Sequence, residues 1–262
     1  MDESVPVAFT GRVSAGTLVL VLLIGLAVGF LGGLFGKGGS AVGTPLLAAV
    51  GVSAIAAVAS PLPATIPGTL LAAREYARHD LVDRHIVRWS LAIGLPATVL
   101  GAYVTRFTGG GPLVVATEVL LVVLGLRFLL APGDPNEVVE ARPHETLWLC
   151  GVALTVGFVS GLLANSGGFL LAPLFVAVLR RPLKVAFATS LVVACALAVP
   201  GTLVHVALGH IDWAVTGAFA LGSVPGATTG ARVALRTRSS HLERVYGATL
   251  AILGIVFLAT AV

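Results

Sequence analysis

The sequence predicts an all-α, polytopic membrane protein built as two inverted repeats. Each repeat has about five helical pieces and a glycine-broken hairpin near the midplane. Three observations lead there. First, of 262 residues only 11% are charged and 57% are hydrophobic, whereas a soluble domain carries about 25% charged residues. A water-facing surface could not be covered at this size. A soluble enzyme, a nucleic-acid binder and a disordered chain are therefore excluded, and the net charge of +4 implies no nucleic-acid partner. Second, residues 13–36, 38–73, 89–105, 146–179, 185–211, 213–231 and 245–262 contain no Asp, Glu, Lys or Arg. A bilayer crossing takes roughly 20 mostly apolar residues, and several of these runs are longer. Third, the chain repeats itself.

The repeat begins with Gly29-Phe-Leu-Gly-Gly-Leu-Phe-Gly-Lys-Gly-Gly39 followed by Pro45-Leu46. It returns 128 residues later as Gly157-Phe-Val-Ser-Gly-Leu-Leu-Ala-Asn-Ser-Gly167, then Pro173-Leu174. Nine of 22 positions are identical between 29–50 and 157–178. At an offset of 129 the match continues, pairing Asp83 with Asp212, Pro96 with Pro225 and Gly125 with Gly254. Internal symmetry of this kind marks secondary transporters. Residues 1–131 form the first transmembrane repeat, 132–145 a polar, proline-rich cytoplasmic linker, and 146–262 the second repeat.

Each element follows in order. The first run, 13–36, is a long helix; its acidic start lacks the basic n-region of a secretory signal, so it reads as a retained crossing. A glycine break at 36–39 leads to a short helix at 40–50. Helices near 54–73, 87–105 and 112–131 complete the repeat, the last interrupted only by Glu118. The second repeat gives 146–164, a break at 165–168, a short piece at 169–179, then 185–207, 213–235 and 244–261. Cys150 and Cys195 read as small buried hydrophobes, and no cofactor or metal pattern is present.

The short pieces either continue the preceding helix or turn back as the second arm of a hairpin. The positive-inside rule separates these. Continuation splits the basic residues evenly between the two faces. Turning back places Arg74, Arg78, Arg84, Arg88, Arg142, Arg180, Arg181, Lys184, Arg236, Arg238 and Arg244 on one face, against Arg12 and Arg106 on the other. The hairpin arrangement is therefore expected, with both termini extracytoplasmic and the two halves inverted.

Each break then forms a hairpin tip. Unwound backbone inside a membrane is tolerated only where protein or a water-filled cavity surrounds it, and glycine supplies the φ/ψ freedom a tight turn needs. A helix starting just after the break offers unpaired N–H groups and a positive dipole end to an anion. The expected binding residues are Lys37, Gly38, Gly39 and Ser40 on one lip, and Asn165, Ser166, Gly167 and Gly168 on the other. A lysine at membrane depth is costly and marks a functional site; the competing reading is that the first helix crosses fully and Lys37 sits at the inner headgroups. Ser60, Thr65, Thr189 and Ser190, on proline-kinked helices beside the tips, are expected to add hydroxyl donors. Packing of small residues between helices is the competing reading for these four. His205 reads as a headgroup histidine or a proton-coupling group, and Glu118 as an interfacial carboxylate or a coupling-ion group. The loop from Arg74 to Arg88 reads as a topology anchor, or as a funnel for anions.

Lys37-Gly-Gly-Ser-Ala-Val-Gly-Thr-Pro-Leu46 and Ser166-Gly-Gly-Phe-Leu-Leu-Ala-Pro-Leu174 resemble the sulfite exporter TauE/SafE family, also called the 4-toluene sulfonate uptake permease family. Ala56-Ala-Val-Ala-Ser60, Ala186-Phe-Ala-Thr-Ser190 and the Val82-Asp83 and Ile211-Asp212 turns are similar to it as well. The resemblance covers nearly the whole chain, with one departure: Ser166 stands where the first half has Gly38. It implies transport of sulfite, sulfoacetate or related small anions across the bacterial inner membrane.

The reading that follows is a secondary transporter, an exporter more readily than an importer because a negative interior favours anion exit. It would work by alternating access, with one half rocking against the other. An anion channel, or an uptake permease for another small organic anion, is the alternative. An intramembrane hydrolase built on Ser160 and His205 lacks an orienting group, so no enzyme is expected. The partners are the small anion and the lipid bilayer. A coupling proton or cation and a homo-oligomer are compatible with the sequence.

Overall fold

The computed structural model describes residues 14–36, 40–104, 122–123, 125–130, 144–162 and 168–261, and the secondary structure among them is helical. Ten helices are bounded: α1 Ala15–Phe35, α2 Ser40–Ala49, α3 Ala54–Ala59, α4 Pro61–Ala77, α5 Arg84–Val104, α6 Glu145–Leu162, α7 Gly168–Ala177, α8 Leu183–Ala207, α9 Trp213–Arg236 and α10 Ser239–Ala261. A helical stretch at 125–130 adds to them. Among the described residues, three spans are long and apolar enough to cross a bilayer alone: Ala15–Phe35, Ala54–Ala77 and Leu183–Ala207. The chain is a multi-pass membrane protein, and its outward face carries large apolar side chains such as Leu70, Leu130, Leu147 and Leu221.

Local chemistry explains the boundaries. Ser14 caps α1 by accepting the Thr17 N–H at 3.1 Å. Asp83 and Asp212 do the same for α5 and α9: Asp83 Oδ1 accepts from the N–H groups of His85 and Ile86, Asp212 Oδ1 from those of Ala214 and Val215. The helix expected near 54–73 divides at Ser60 and reaches Ala77. Pro61, Pro63 and Pro67 lack N–H groups, so the carbonyls of Ala57, Ala59 and Pro63 lose their ladder partners. Hydroxyls of α9 reach two neighbouring carbonyls: Thr216 Oγ1 donates to Ser60 O at 3.2 Å and Ser223 Oγ to Ala64 O at 3.3 Å. The short pieces α2 and α7 have 10 residues each, about 15 Å at 1.5 Å per residue, half of a roughly 30 Å hydrocarbon core.

The helices of the two repeats interleave. α1 lies along α9, and α6 lies along α5. The α1–α9 seam is made of glycine on both sides. Gly25, Gly29 and Gly33 rest on the backbone at Phe219, Ser223 and Ala227, while Gly222, Gly226 and Gly230 rest on that at Leu22, Leu26 and Phe30. A Cβ at Gly33 would lie 1.9 Å from Ala227 O, and one at Gly222 would lie 2.0 Å from Leu22 O. Small residues let membrane helices approach closely, so that dispersion supplies the attraction that hydrophobic burial cannot supply in lipid. The equivalent α5–α6 contact uses Gly94 and Gly157, where a Cβ added at Gly157 would meet Gly94 O at 2.5 Å.

The helices fall into two sets, α1–α4 with α9 and α5 with α6–α8, joined by an extensive α4–α8 contact and by one buried cluster that draws on both. α4 and α8 meet where the sets join. α2 returns alongside the first set. Gly43 faces the Phe219 ring, 3.2 Å from Cζ for an added Cβ, and Leu47 belongs to a buried cluster with Val21, Val52, Val215 and Phe219. A larger cluster gathers Phe35, Tyr76, Phe128, Phe187 and Tyr246.

Candidate functional site

The end of α1 is built in detail. Gly36 takes φ 67°, a left-handed conformation open to glycine, and its N–H returns to Gly32 O. Two carbonyls at this end meet side-chain hydroxyls. Tyr76 OH donates to Gly33 O at 3.0 Å, and Ser190 Oγ lies 2.7 Å from Gly36 O and 2.9 Å from Phe187 O, its single proton shared between the two carbonyls. Below them, Phe35, Phe187 and Tyr246 stack with centroids 4.9–6.2 Å apart, and Phe128 joins Tyr246 at 5.7 Å. Lys37, Gly38 and Gly39 follow immediately and lie outside the described residues, as do Asn165, Ser166 and Gly167. Ser40 opens α2, and Gly168 opens α7 and is buried.

The contacts of Gly33 and Gly36 place this end against α4 and α8. Tyr76 is the penultimate residue of α4, flanked by Arg74 and Arg78. Ser190 lies seven residues into α8, about 10 Å at 1.5 Å per residue. The break thus starts within one to two turns of the basic ends of α4 and α8. α1 has 21 residues and so a length of about 32 Å, a full crossing.

The other hydroxyls expected at the site are buried and engaged with backbone. Ser60 Oγ accepts the Asp212 N–H at 3.1 Å, and Thr189 Oγ1 accepts the Asp83 N–H at 3.0 Å. These are one bond written twice: Ser60 and Thr189 stand 129 residues apart, as do Asp83 and Asp212. Each bond crosses from one repeat to the other, yet each stays inside one packed set. Thr65 Oγ1 donates to Leu62 O at 3.0 Å. Thr65, Thr69, Ser223, Gly29, Gly32 and Gly68 help line a cavity of about 10 Å³ between α1, α4 and α9, the space of a single water.

Charges sit at the helix ends. Arg181 bridges Asp83, at 3.3 Å, and Glu145, joining the α7–α8 connection to α5 and α6. Glu75 accepts from Arg232 at 2.9 Å and from Arg78 at 3.4 Å, tying α4 to α9. Lys184 Nζ donates to Leu235 O at 2.9 Å, closing the last turn of α9. His205 and His210 approach through their Nδ1 atoms at 3.2 Å.

Comparison with known proteins decides the family. The family described as sulfite exporter TauE/SafE matches residues 21–257. The chain belongs to it. TauE/SafE relatives include a probable membrane transporter protein of Xylella fastidiosa, 29% identical over an alignment of 248 residues that covers 88% of this chain and 91% of the relative. The probable membrane transporter protein YunE of Bacillus subtilis is 26% identical, covering 83% of this chain and 87% of its own length. YfcA of Escherichia coli, a further probable membrane transporter protein, is 24% identical, covering 85% and 82%. No solved structure matches. The chain is thus a membrane transporter of the TauE/SafE family and not an enzyme.

Within this TauE/SafE chain, sequence reasoning missed Tyr76. Set among Arg74, Glu75 and Arg78, it reads as part of a topology anchor at a helix end. Its signal was the aromatic hydroxyl itself, one residue from the end of an apolar helix, where a buried phenol needs an acceptor.

Proposed function

We propose that this TauE/SafE protein is a secondary transporter that exports small sulfur-containing anions, such as sulfite or short organosulfonates of the sulfoacetate kind, across the bacterial inner membrane by alternating access. The observation that carries the reading is the end of α1. Gly36 stops the helix in a left-handed turn, and a new helix starts at Ser40 within four residues. Lys37 and the first N–H groups of α2 then share one short stretch, a cation beside a positive helix end. In this proposal Lys37, Gly38, Gly39 and Ser40 form one lip, and Asn165, Ser166, Gly167 and Gly168 at the start of α7 form the other. Ser60 and Thr189 hold the starts of α9 and α5 rather than touching the anion, and Thr65 borders the small cavity.

The two halves would be inverted repeats with both termini outside, and cysteines placed at Asp80 and Asp134 would then report one shared face. The moving units in this reading are the two packed sets rather than residues 1–131 against 146–262. Rocking the sequence halves would tear the α1–α9 and α5–α6 glycine seams, whereas sliding at the α4–α8 contact leaves both seams closed.

The test is transport in proteoliposomes over sulfite, sulfoacetate, taurine, sulfate and thiosulfate. Saturable uptake with counterflow for at least one sulfur oxyanion is expected. Uptake of none of them would refute the substrate class, and flux that never saturates would refute alternating access in favour of a channel.

A further inference from the structure

We infer that His205 and His210 form a site for a single proton on the α8–α9 connection, and that the charge of this site sets how firmly the connection holds. The inference adds a pH response to the proposed transporter. It rests on that reading for the effect on transport, and the proton site itself stands apart from it.

The way α8 ends makes the pair. Gly209 takes φ 68°, and its N–H returns to Val206 O at 3.1 Å while the His210 N–H returns to His205 O at 3.0 Å. This closure sets its first and last residues side by side, and an apolar contact ordinarily fills that place. Here two imidazoles fill it, with their Nδ1 atoms 3.2 Å apart. The first repeat supplies the comparison. At the 129-residue offset, His205 corresponds to Tyr76 and His210 to Leu81. The Leu81 N–H returns to Tyr76 O at 3.4 Å and the Asp80 N–H to Ala77 O at 3.1 Å, with Asp80 at φ 55° and Leu81 packed on the larger apolar cluster. The same turn thus forms without a histidine, so folding alone does not call for two.

Two neutral rings at this distance share one hydrogen, the Nδ1–H of one donating to the Nδ1 of the other. A proton taken up at Nε2 of the donating ring makes that bond charge-assisted and stronger, and the negative end of α8 favours one positive charge there. A second proton would have to occupy the accepting Nδ1, setting two N–H groups and two like charges face to face. The pair therefore takes one proton readily and resists the next. Both rings are half-buried beside the exposed Leu208 and Gly209, so protons reach them. α8 has 25 residues, about 37 Å, which puts the pair a bilayer's thickness from Lys184 and the arginine-rich helix ends. α5 runs alongside, with Asp83 at Thr189 and Gly94 beside Leu197, so its arginines lie at that far end, as do the charged residues of α4, α6 and α10. α1 and α7 carry no titratable group. Among the described residues, the titratable groups toward the histidine end are Tyr103, in the last turn of α5, and Asp212, whose Oδ1 accepts from the N–H groups of Ala214 and Val215. The connection also joins the two sets of helices: two residues on, Ser60 Oγ accepts the Asp212 N–H.

The experiment compares wild type with two pairs that lack imidazoles. One is His205→Tyr with His210→Leu, the residues of the first repeat; the other is His205→Gln with His210→Gln. Proton uptake by the purified proteins is titrated from about pH 8 to about pH 5.5. Wild type should take up about one proton more than either variant. A difference of nearly two, expected of rings titrating separately at about 6.5, would overturn the site, and so would no difference. Counterflow of a sulfur oxyanion in proteoliposomes is then read as the ratio of wild type to variant at each pH, which cancels any ionisation of the anion. The ratio should fall by about three- to tenfold across the same range as the charged pair tightens the connection. A ratio that holds or rises would overturn the pH response. Wild type that takes up the extra proton but transports none of the anions would leave the proton site standing and refute the substrate reading instead.

Discussion

Replacing Gly226 by alanine tests the interleaved packing directly. Its Cβ would lie 2.3 Å from Leu26 O and 2.9 Å from Phe30 N, both backbone atoms of α1 that no rotamer change can move. Ordinary contact requires roughly 3.5 Å, so α1 and α9 must part by about 1 Å along a seam shared with Gly222 and Gly230. Overpacking of this kind costs about 1–3 kcal/mol, which corresponds to a fall in Tm of roughly 2–12 °C for a chain of this size. A methyl group at Gly217, on the same helix, would meet no neighbouring element within 4 Å. Alanine there gains helix propensity, up to about 1 kcal/mol, so Tm should hold or rise. Thermal unfolding in detergent, followed by tryptophan fluorescence, reads both variants. A Gly226→Ala protein as stable as wild type, or a Gly217→Ala protein equally destabilised, would refute the account of the seam.

Other expectations follow from the same geometry. Gly36→Ala combines a left-handed φ with a clash against Phe187, so it should reduce anion counterflow at least about tenfold in protein that still purifies as a single species. Full activity would contradict the role of the break. Ser60→Ala and Thr189→Ala each orphan one backbone N–H, at about 1 kcal/mol within a range from roughly 0.6 for membrane hydrogen bonds upward. Because they sit in different packed sets and share no partner, their unfolding penalties should add to within about 0.5 kcal/mol, and strong coupling would show that the sets are one body. Arg181→Gln leaves Asp83 and Glu145 without their shared cation. It should lower stability by up to about 1 kcal/mol at low salt and by less at high salt; a salt-independent loss would point to packing instead.

Much of this was legible in the sequence because its signals were of a kind that lipid enforces. Absent charges gave the helices, and Asp83 and Asp212 marked the starts of α5 and α9. The boundaries of α2 and α7 fell within two residues of expectation because glycine and the following apolar run bound them. What the sequence hid was partnership across the repeats. Ser60 and Thr189 look like free hydroxyls until folding brings Asp212 and Asp83 against them, 152 and 106 residues away. The surroundings of the first break were hidden for a related reason. Nothing local in the 21 residues of α1 says that its end meets Tyr76 of α4 and Ser190 of α8. The glycines of α1 and α9 show a four-residue spacing, but nothing local says that these two strips face each other rather than lipid or a second copy.

The most direct test of the central claim is the affinity of purified wild type and Lys37→Gln for the transported sulfur oxyanion, measured by calorimetry alongside thermal stability. The account predicts at least about tenfold weaker binding in the variant, from the loss of one charge-assisted contact, with the melting temperature unchanged. Equal affinity in the two proteins would contradict it, since the anion would then be held somewhere other than the turn that follows α1.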